Sequence, residues 1–87
     1  MMELTRGGLA ISKAGHDKGR IYVIIDRDDD HVYLVDGELK TVDKPKKKKI
    51  KHIQPVDRHV DLEQAVTNEH IKRVLKEYAG GTKYVKD

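Results

Sequence analysis

Apolar residues in the first half of the chain fall in short runs broken by polar turns. Leu9 and Ile11 alternate with Ala10 and Ser12, the period of a strand with one buried face, which predicts a strand over Leu9 to Lys13. A second strand is expected over Arg20 to Asp26, where Ile21, Tyr22, Val23, Ile24 and Ile25 all suit a pleated surface. The polar turn Arg27 to Asp30 leads to a third strand, His31 to Asp36, carrying Val32, Tyr33, Leu34 and Val35. Asp36-Gly37 is a strong turn pair. A fourth strand is expected around Leu39 to Asp43, interrupted by Pro45, which cannot donate to a ladder. A fifth covers Lys49 to Ile53, and Pro55 is expected to end the sheet. Met1 to Arg6 shows no period and reads as frayed.

The second and third runs are apolar on both sides of the pleat, since Tyr22 and Ile24 oppose Val23 and Ile25. A sheet with one wet face would alternate, so something must cover the outer side. The candidate cover is a C-terminal helix. Thr67 and Asn68 are good cap residues and Glu69 falls in the first turn. Ile71, Val74, Leu75 and Tyr78 then share one helical face, and Gly80 and Gly81 are expected to stop the helix. Asp61 to Ala65 either forms a separate helical turn or joins one helix from Leu62 to Tyr78; a break at Val66-Thr67 fits the poor helix propensity there. The fold class is therefore mainly β with a C-terminal α-helix, and five short strands joined by tight turns suggest a small barrel. The expected organisation is a single domain, 1–87, with a barrel over 8–53, a helical cover over 54–79 and a flexible tail over 80–87.

Length and composition narrow the function. A chain of 87 residues is near the size at which one core is only just sufficient. It has no cysteine, which removes disulfides and thiolate metal sites and fits a reducing compartment. The longest apolar run, Ile21 to Ile25, is too short to span a bilayer, and the N-terminal residues carry no apolar signal segment. The expectation is a cytoplasmic protein with no membrane contact.

Charge is distributed unevenly. Residues 1–43 hold six Lys/Arg against nine Asp/Glu, and residues 52–87 hold six against six. Residues 44–51 hold six lysines and no acid, so the whole positive excess of the chain sits in this block. Concentrated charge of this kind is a candidate electrostatic footprint for nucleic acid. Lys44, Lys46, Lys47, Lys48, Lys49, Lys51 and His52 are the candidate phosphate contacts, held extended by Pro45. In an extended run alternate lysines face opposite sides, so about half would contact one nucleic-acid strand. The bland reading is a solvated basic loop.

A second candidate is the turn between Gly15 and Gly19, flanked by Lys13, His16, Lys18 and Arg20. Glycine tolerates positive φ, and such a turn offers backbone N–H groups beside a cation, which suits a phosphate. The alternative is a tight strand connection with incidental charge. Gly8, Ile11, Gly15, Lys18 and Gly19 resemble the KOW motif of ribosomal proteins and NusG-type transcription factors. Many KOW motifs carry a further glycine where this chain has Tyr22. The run Ala14 to Arg20, the following apolar strand, Asp36-Gly37-Glu38-Leu39 and the lysine block are similar to one branch, the large-subunit ribosomal protein fourteen family of archaea and eukaryotes. That resemblance covers about residues 8–53. It implies a five-stranded SH3-like barrel, the motif glycines Gly8, Gly15 and Gly19, and RNA binding at the ribosome, with structured rRNA as partner and ribosomal proteins as neighbours.

Other chemistry finds little support. Asp26, Asp28, Asp29 and Asp30 have the spacing of a calcium-loop start, but the sixth and twelfth places hold His31 and Gly37 instead of Gly and Glu. The five histidines show no ligand spacing. Neither a nucleophile elbow nor a nucleotide-binding glycine motif occurs. No metal, cofactor or catalytic residue is expected, and the chain does not read as an enzyme. With no Trp or Phe, and with Tyr22, Tyr33 and Tyr78 fitting the core pattern, phosphate and shape recognition is expected rather than base stacking. Two alternatives stay open. KOW domains of transcription factors also bind proteins, so a protein-interaction module of the transcription or translation machinery is the rival. A lysine block also does not distinguish RNA from DNA. Oligomeric state has no signal in the sequence.

Overall fold

The computed structural model describes residues 4–62 and 66–86, with side chains to Tyr78. Five antiparallel strands form one sheet: β1 (Gly8–Ser12), β2 (Ile21–Arg27), β3 (His31–Val35), β4 (Lys46–Lys49) and β5 (Ile53–His59), followed by α1 (Asn68–Lys86). Their order is β4-β3-β2-β1-β5. The sheet curls around a small interior in the manner of an SH3-like barrel. Register shifts between Ile24 and Asp26, and between Gly8 and Leu9, mark the bulges that bend it.

The apolar pattern on both sides of β2 and β3 corresponds to two separate cores. Inside the barrel, Ala10, Tyr22, Ile24, Val32, Leu34 and Ile53 pack together. On the other side, Leu9, Val23 and Val35 pack against Leu62 and against Ile71 and Leu75 of α1, with Val74 and Tyr78 partly buried beside them. The helix is therefore the expected cover. In β1 both faces are buried, Leu9 on one side and Ala10 and Ser12 on the other, where the alternation predicted one; Ile11 is half-buried.

Thr67 caps α1 as its position suggests: the His70 N–H donates to Thr67 Oγ1 at 3.1 Å. Asn68 Oδ1 accepts the Val42 N–H at 2.9 Å and ties the helix to the preceding loop. Gly37 lets the first turn of α1 approach, because a Cβ there would lie 2.5 Å from the Asn68 carbonyl oxygen. Its φ of +82° is also left-handed.

Several boundaries differ from expectation. The helix continues through Gly80 and Gly81 to Lys86, into the expected tail. Glycine weakens a helix by about 1 kcal/mol relative to alanine but does not forbid one. Residues 39–43 form no strand, only an isolated bridge between Thr41 and Lys44. Asp36 Oδ1 accepts the N–H groups of Glu38 and Lys40, and this side-chain-to-backbone bonding holds the segment in a turn. The fourth strand is instead the lysine run, and residues Ile50–His52 are a 3-10 turn rather than part of a fifth strand. Pro55 does not end the sheet: it lies within β5 opposite Ala10, which the edge position of β5 permits. Near the N-terminus, Arg6 is anchored rather than frayed, donating to the carbonyls of Ile25 at 3.2 Å and Leu62 at 2.9 Å. Residues 1–3 lie outside the described residues, as does most of the helical turn expected over 61–65.

Candidate nucleic-acid interface

The turn after β1 is shaped by Gly15 and Gly19, with φ of +86° and +90°. Both lie where an L side chain is strained. The chain folds back on itself between them. The Lys18 N–H donates to the Gly15 carbonyl at 3.2 Å, Gly19 N–H to Ser12 at 2.8 Å, and Arg20 N–H to Asp17 at 2.9 Å. These three amides are committed within the turn, which corrects the expectation that they are open to a phosphate. What the turn can offer is the side-chain charge of Lys13 and Lys18, both exposed, with the exposed imidazole of His16 between them.

The lysine run becomes a strand because it pairs with β3 along the edge of the sheet, in the register His31↔Lys49, Val32↔Lys48, Tyr33↔Lys47 and Leu34↔Lys46. Charged side chains on an edge strand also discourage pairing with another chain. Alternation then splits the lysines. Lys47 and Lys49 are exposed on the side of Tyr33 and His31, and the Lys47 ammonium lies 5.9 Å from the centre of the Tyr33 ring. Tyr33 is thus a half-buried outer residue, not a core one. Lys46 and Lys48 face the same way as Val32 and Leu34, toward the barrel mouth and the glycine turn.

There they meet Asp17. Its Oδ1 accepts from Lys48 Nζ at 3.1 Å and from Ser12 Oγ at 2.8 Å, and its Oδ2 accepts from the Tyr22 hydroxyl at 3.0 Å. Lys46 Nζ stands 3.8 Å from Oδ2. Lys48 also donates to the Ala14 carbonyl at 3.0 Å. The Asp17 side chain is 12% exposed and that of Lys48 11%, so this ion pair is largely shielded from water. Burial alone pushes the Asp17 carboxyl up. Hydrogen bonds from Ser12, Lys48 and Tyr22, with the Lys48 charge, outweigh it and hold the group at about 2. Burial, then the hydrogen bond to Asp17 and its charge, push the Tyr22 hydroxyl up to about 12.

The glycine turn and the lysine strand therefore share one rim, joined through Asp17. Lys48 is not a solvated cation there, contrary to the expectation for the whole run. The Lys13 N–H donates to the His52 carbonyl at 2.8 Å, which draws Lys13 and the turn containing Lys51 and His52 to the same end of β1. Lys44 is exposed just before β4. Lys49 and Lys51 line a recess with Asp29, Asp30 and His31, so acidic residues share their end of the strand. In that acidic turn Asp28 accepts the N–H groups of Asp30 and His31, and these bonds hold its carboxyl below the usual range. Arg20 departs from the expected set: it pairs with Asp36 at 3.4 Å and lines a groove with Lys72 and Arg73 of α1. Gly8 is buried in β1 and shapes the strand rather than the rim.

Asp17, Ser12 and Tyr22 were not apparent as site residues from sequence. The available signal was an acid inside an otherwise basic turn, five residues from a serine on one side and from a tyrosine on the other. That tyrosine stands where the resembled motif commonly has glycine, and it fills the barrel while donating to Asp17.

No family model matches the chain. Among curated proteins, it is 30% identical over 82 residues to the large ribosomal subunit protein eL14 of Staphylothermus marinus, with 93% of this chain and 84% of that protein covered. It is 31% identical over 75 residues to the protein of the same name from Methanococcus maripaludis, covering 86% of this chain and 92% of that one. The relative from Saccharolobus islandicus is 29% identical over 83 residues, with 93% and 84% covered.

Proposed function

The chain belongs to the large ribosomal subunit protein eL14 family, and from that premise we propose that it is a ribosome-associated RNA-binding protein. It contacts structured rRNA through phosphates, using the lysine strand and the glycine turn, and has ribosomal proteins as neighbours. The observation that carries this reading is the shared rim. Lysines from two stretches about thirty residues apart, Lys13 and Lys18 on one and Lys44, Lys46, Lys47, Lys49 and Lys51 on the other, with His16 and His52 beside them, are gathered along β4 and the end of β1. Like charges repel, so gathering them opposes folding unless a polyanion is the partner. The role is structural and recognitional rather than catalytic, and it is exercised in the cytoplasm.

The rival reading, a protein-interaction module, calls for an exposed apolar patch. Among the described residues Leu39, 67% exposed, is the one large hydrophobic side chain in the open. A single residue does not make such a patch.

A salt titration of binding to structured fragments of large-subunit rRNA tests the proposal. Three to six engaged cations give a slope of log affinity against log salt of roughly −2 to −5. A slope near zero, or equal binding to a neutral polymer, removes the phosphate reading. Double-stranded DNA of the same length, run in parallel, separates shape recognition of RNA from general polyanion binding.

A further inference from the structure

Resting on the RNA-binding reading, we propose that Asp17 is the positioning residue of the interface. It holds the glycine turn and the lysine strand in the one arrangement that RNA meets, and it withdraws Lys48 from contact with phosphate.

The geometry supports this in three ways. First, Asp17 gathers groups from three strands at once: Ser12 of β1, Tyr22 of β2, and Lys48 and Lys46 of β4. Lys48 strengthens this link between the turn and β4 by donating to the Ala14 carbonyl as well. Second, the pair is shielded, with each side chain about nine-tenths buried. A weakly hydrated pair of this kind has a strict geometry and is screened little by salt. Third, Gly15 packs directly beside the pair: a Cβ there would lie in ordinary contact, 3.7 Å from both Lys48 Nζ and Asp17 Oδ1, and it is the φ of +86° that calls for glycine. The motif glycine and the acid thus serve one arrangement.

An acid at the centre of a basic rim weakens attraction for a polyanion. Its presence there makes chemical sense if the fixed geometry it provides outweighs the charge it subtracts. With Lys48 and Asp17 satisfying one another, the direct phosphate contacts fall to the exposed cations on the two flanks, Lys47 and Lys49 on one and Lys18 on the other.

The sign of one measurement decides the matter. Asp17→Asn is nearly isosteric, keeps an acceptor for Ser12, and removes one negative charge from the rim. A role through charge alone predicts tighter binding to structured large-subunit rRNA fragments. A positioning role predicts weaker binding, by about fivefold or more, at every salt concentration. Lys48→Gln is the second variant. The expected result is a line parallel to the parent in the plot of log affinity against log salt but displaced to weaker binding. A line flattened by about 0.7–0.9 makes Lys48 a direct phosphate contact and overturns the proposal. Coincident lines for folded protein reduce the Asp17–Lys48 pair to a stabilising contact and overturn it as well. Circular dichroism melts confirm that each titration lies below the unfolding transition. If one variant is unfolded, the other carries the test. Should the parent itself bind with no salt dependence, the RNA-binding reading fails first, and that outcome is visible before any variant is compared.

Discussion

The two sides of the sheet are closed by different forces, although the same strands supply both. On the helix side, Leu9, Val23 and Val35 meet Ile71 and Leu75 through apolar contact, with hydrogen bonds such as Val42 N–H to Asn68 Oδ1 only at its margin. At the barrel mouth, one carboxylate receives Ser12, Tyr22 and Lys48 at hydrogen-bond distance. Apolar burial has no preferred direction and changes gradually with the area removed. A shielded ion pair is directional, and removing one partner leaves the other charged and desolvated. The mouth is thus held in one arrangement by a directional interaction, while the helix side is closed chiefly by apolar area.

The widest separation between these two sides should appear on deleting α1. Ile71 and Leu75 are both buried, and each large apolar side chain contributes about 1.5–3 kcal/mol. A domain of this size has only about 5–15 kcal/mol in total. A chain ending at Val66 is therefore expected to lose cooperative unfolding and to aggregate. If it melted cooperatively at the parent temperature, the barrel mouth alone would hold the fold and the contrast between the two sides would break.

A smaller effect, and one confined to the mouth, is expected of Gly15→Val. Its φ of +86° is unfavourable for a β-branched residue, and the added side chain faces Lys48 and Asp17. Strain of this type costs about 1–3 kcal/mol. Urea unfolding should show that loss, together with weaker RNA binding. Unchanged stability would mean that the turn relaxes without disturbing the rim.

The contrast between the two sides was only half legible in the amino-acid sequence. Tyr22, Val23, Ile24 and Ile25 announce two buried faces because strand period and apolar content conflict, and Ile71, Val74, Leu75 and Tyr78 supply the matching helix face. That information is local, and it led correctly to a covered barrel. The lysine strand was not legible in the same way. Lysine is depleted in strands, and a run of like charges reads as a solvated loop. The β3 partner of Lys48, Val32, lies 16 residues away in the chain and Asp17 lies 31 away, so no window around Lys48 contains the reason for its burial. Pro55 misled for a related reason: whether a proline can sit in a strand depends on whether that strand is at an edge, which is a property of the whole sheet.

Acid separates the two sides without mutation. Asp17 is depressed from 3.8 to about 2 in the folded protein. A depressed carboxylate stabilises the fold above its unfolded value, and that stability is lost as pH falls through the folded value. The shift corresponds to about 2 kcal/mol, drawn down between about pH 5 and pH 2. Apolar contacts of α1 do not titrate. Denaturant unfolding across that range should therefore show a loss in the parent that is much reduced in Asp17→Asn. An equal acid loss in both proteins would place the titrating group elsewhere.

The smallest effect sharpens the comparison within β4 itself. Lys47 and Lys48 are neighbours in sequence, yet Lys47 is exposed beside Tyr33 and Lys48 is shielded against Asp17. Exposed surface substitutions usually change stability by less than about 0.5 kcal/mol. Lys47→Gln should therefore leave the melting temperature almost unchanged while flattening the RNA salt slope by about 0.7–0.9, as expected when one cation no longer meets a phosphate. Lys48→Gln should reverse this pattern, lowering the melting temperature and leaving the slope intact, because its charge is neutralised inside the protein. Replacing Lys46, Lys47, Lys48 and Lys49 together is then not the neutral surface change that a loop of lysines would allow: it should both destabilise the fold and flatten the slope. Calorimetry beside the salt titration reads the two quantities independently. If Lys47→Gln and Lys48→Gln proved alike in both, the alternation along β4 would carry no functional meaning, and the lysine run would act as an undivided patch of charge.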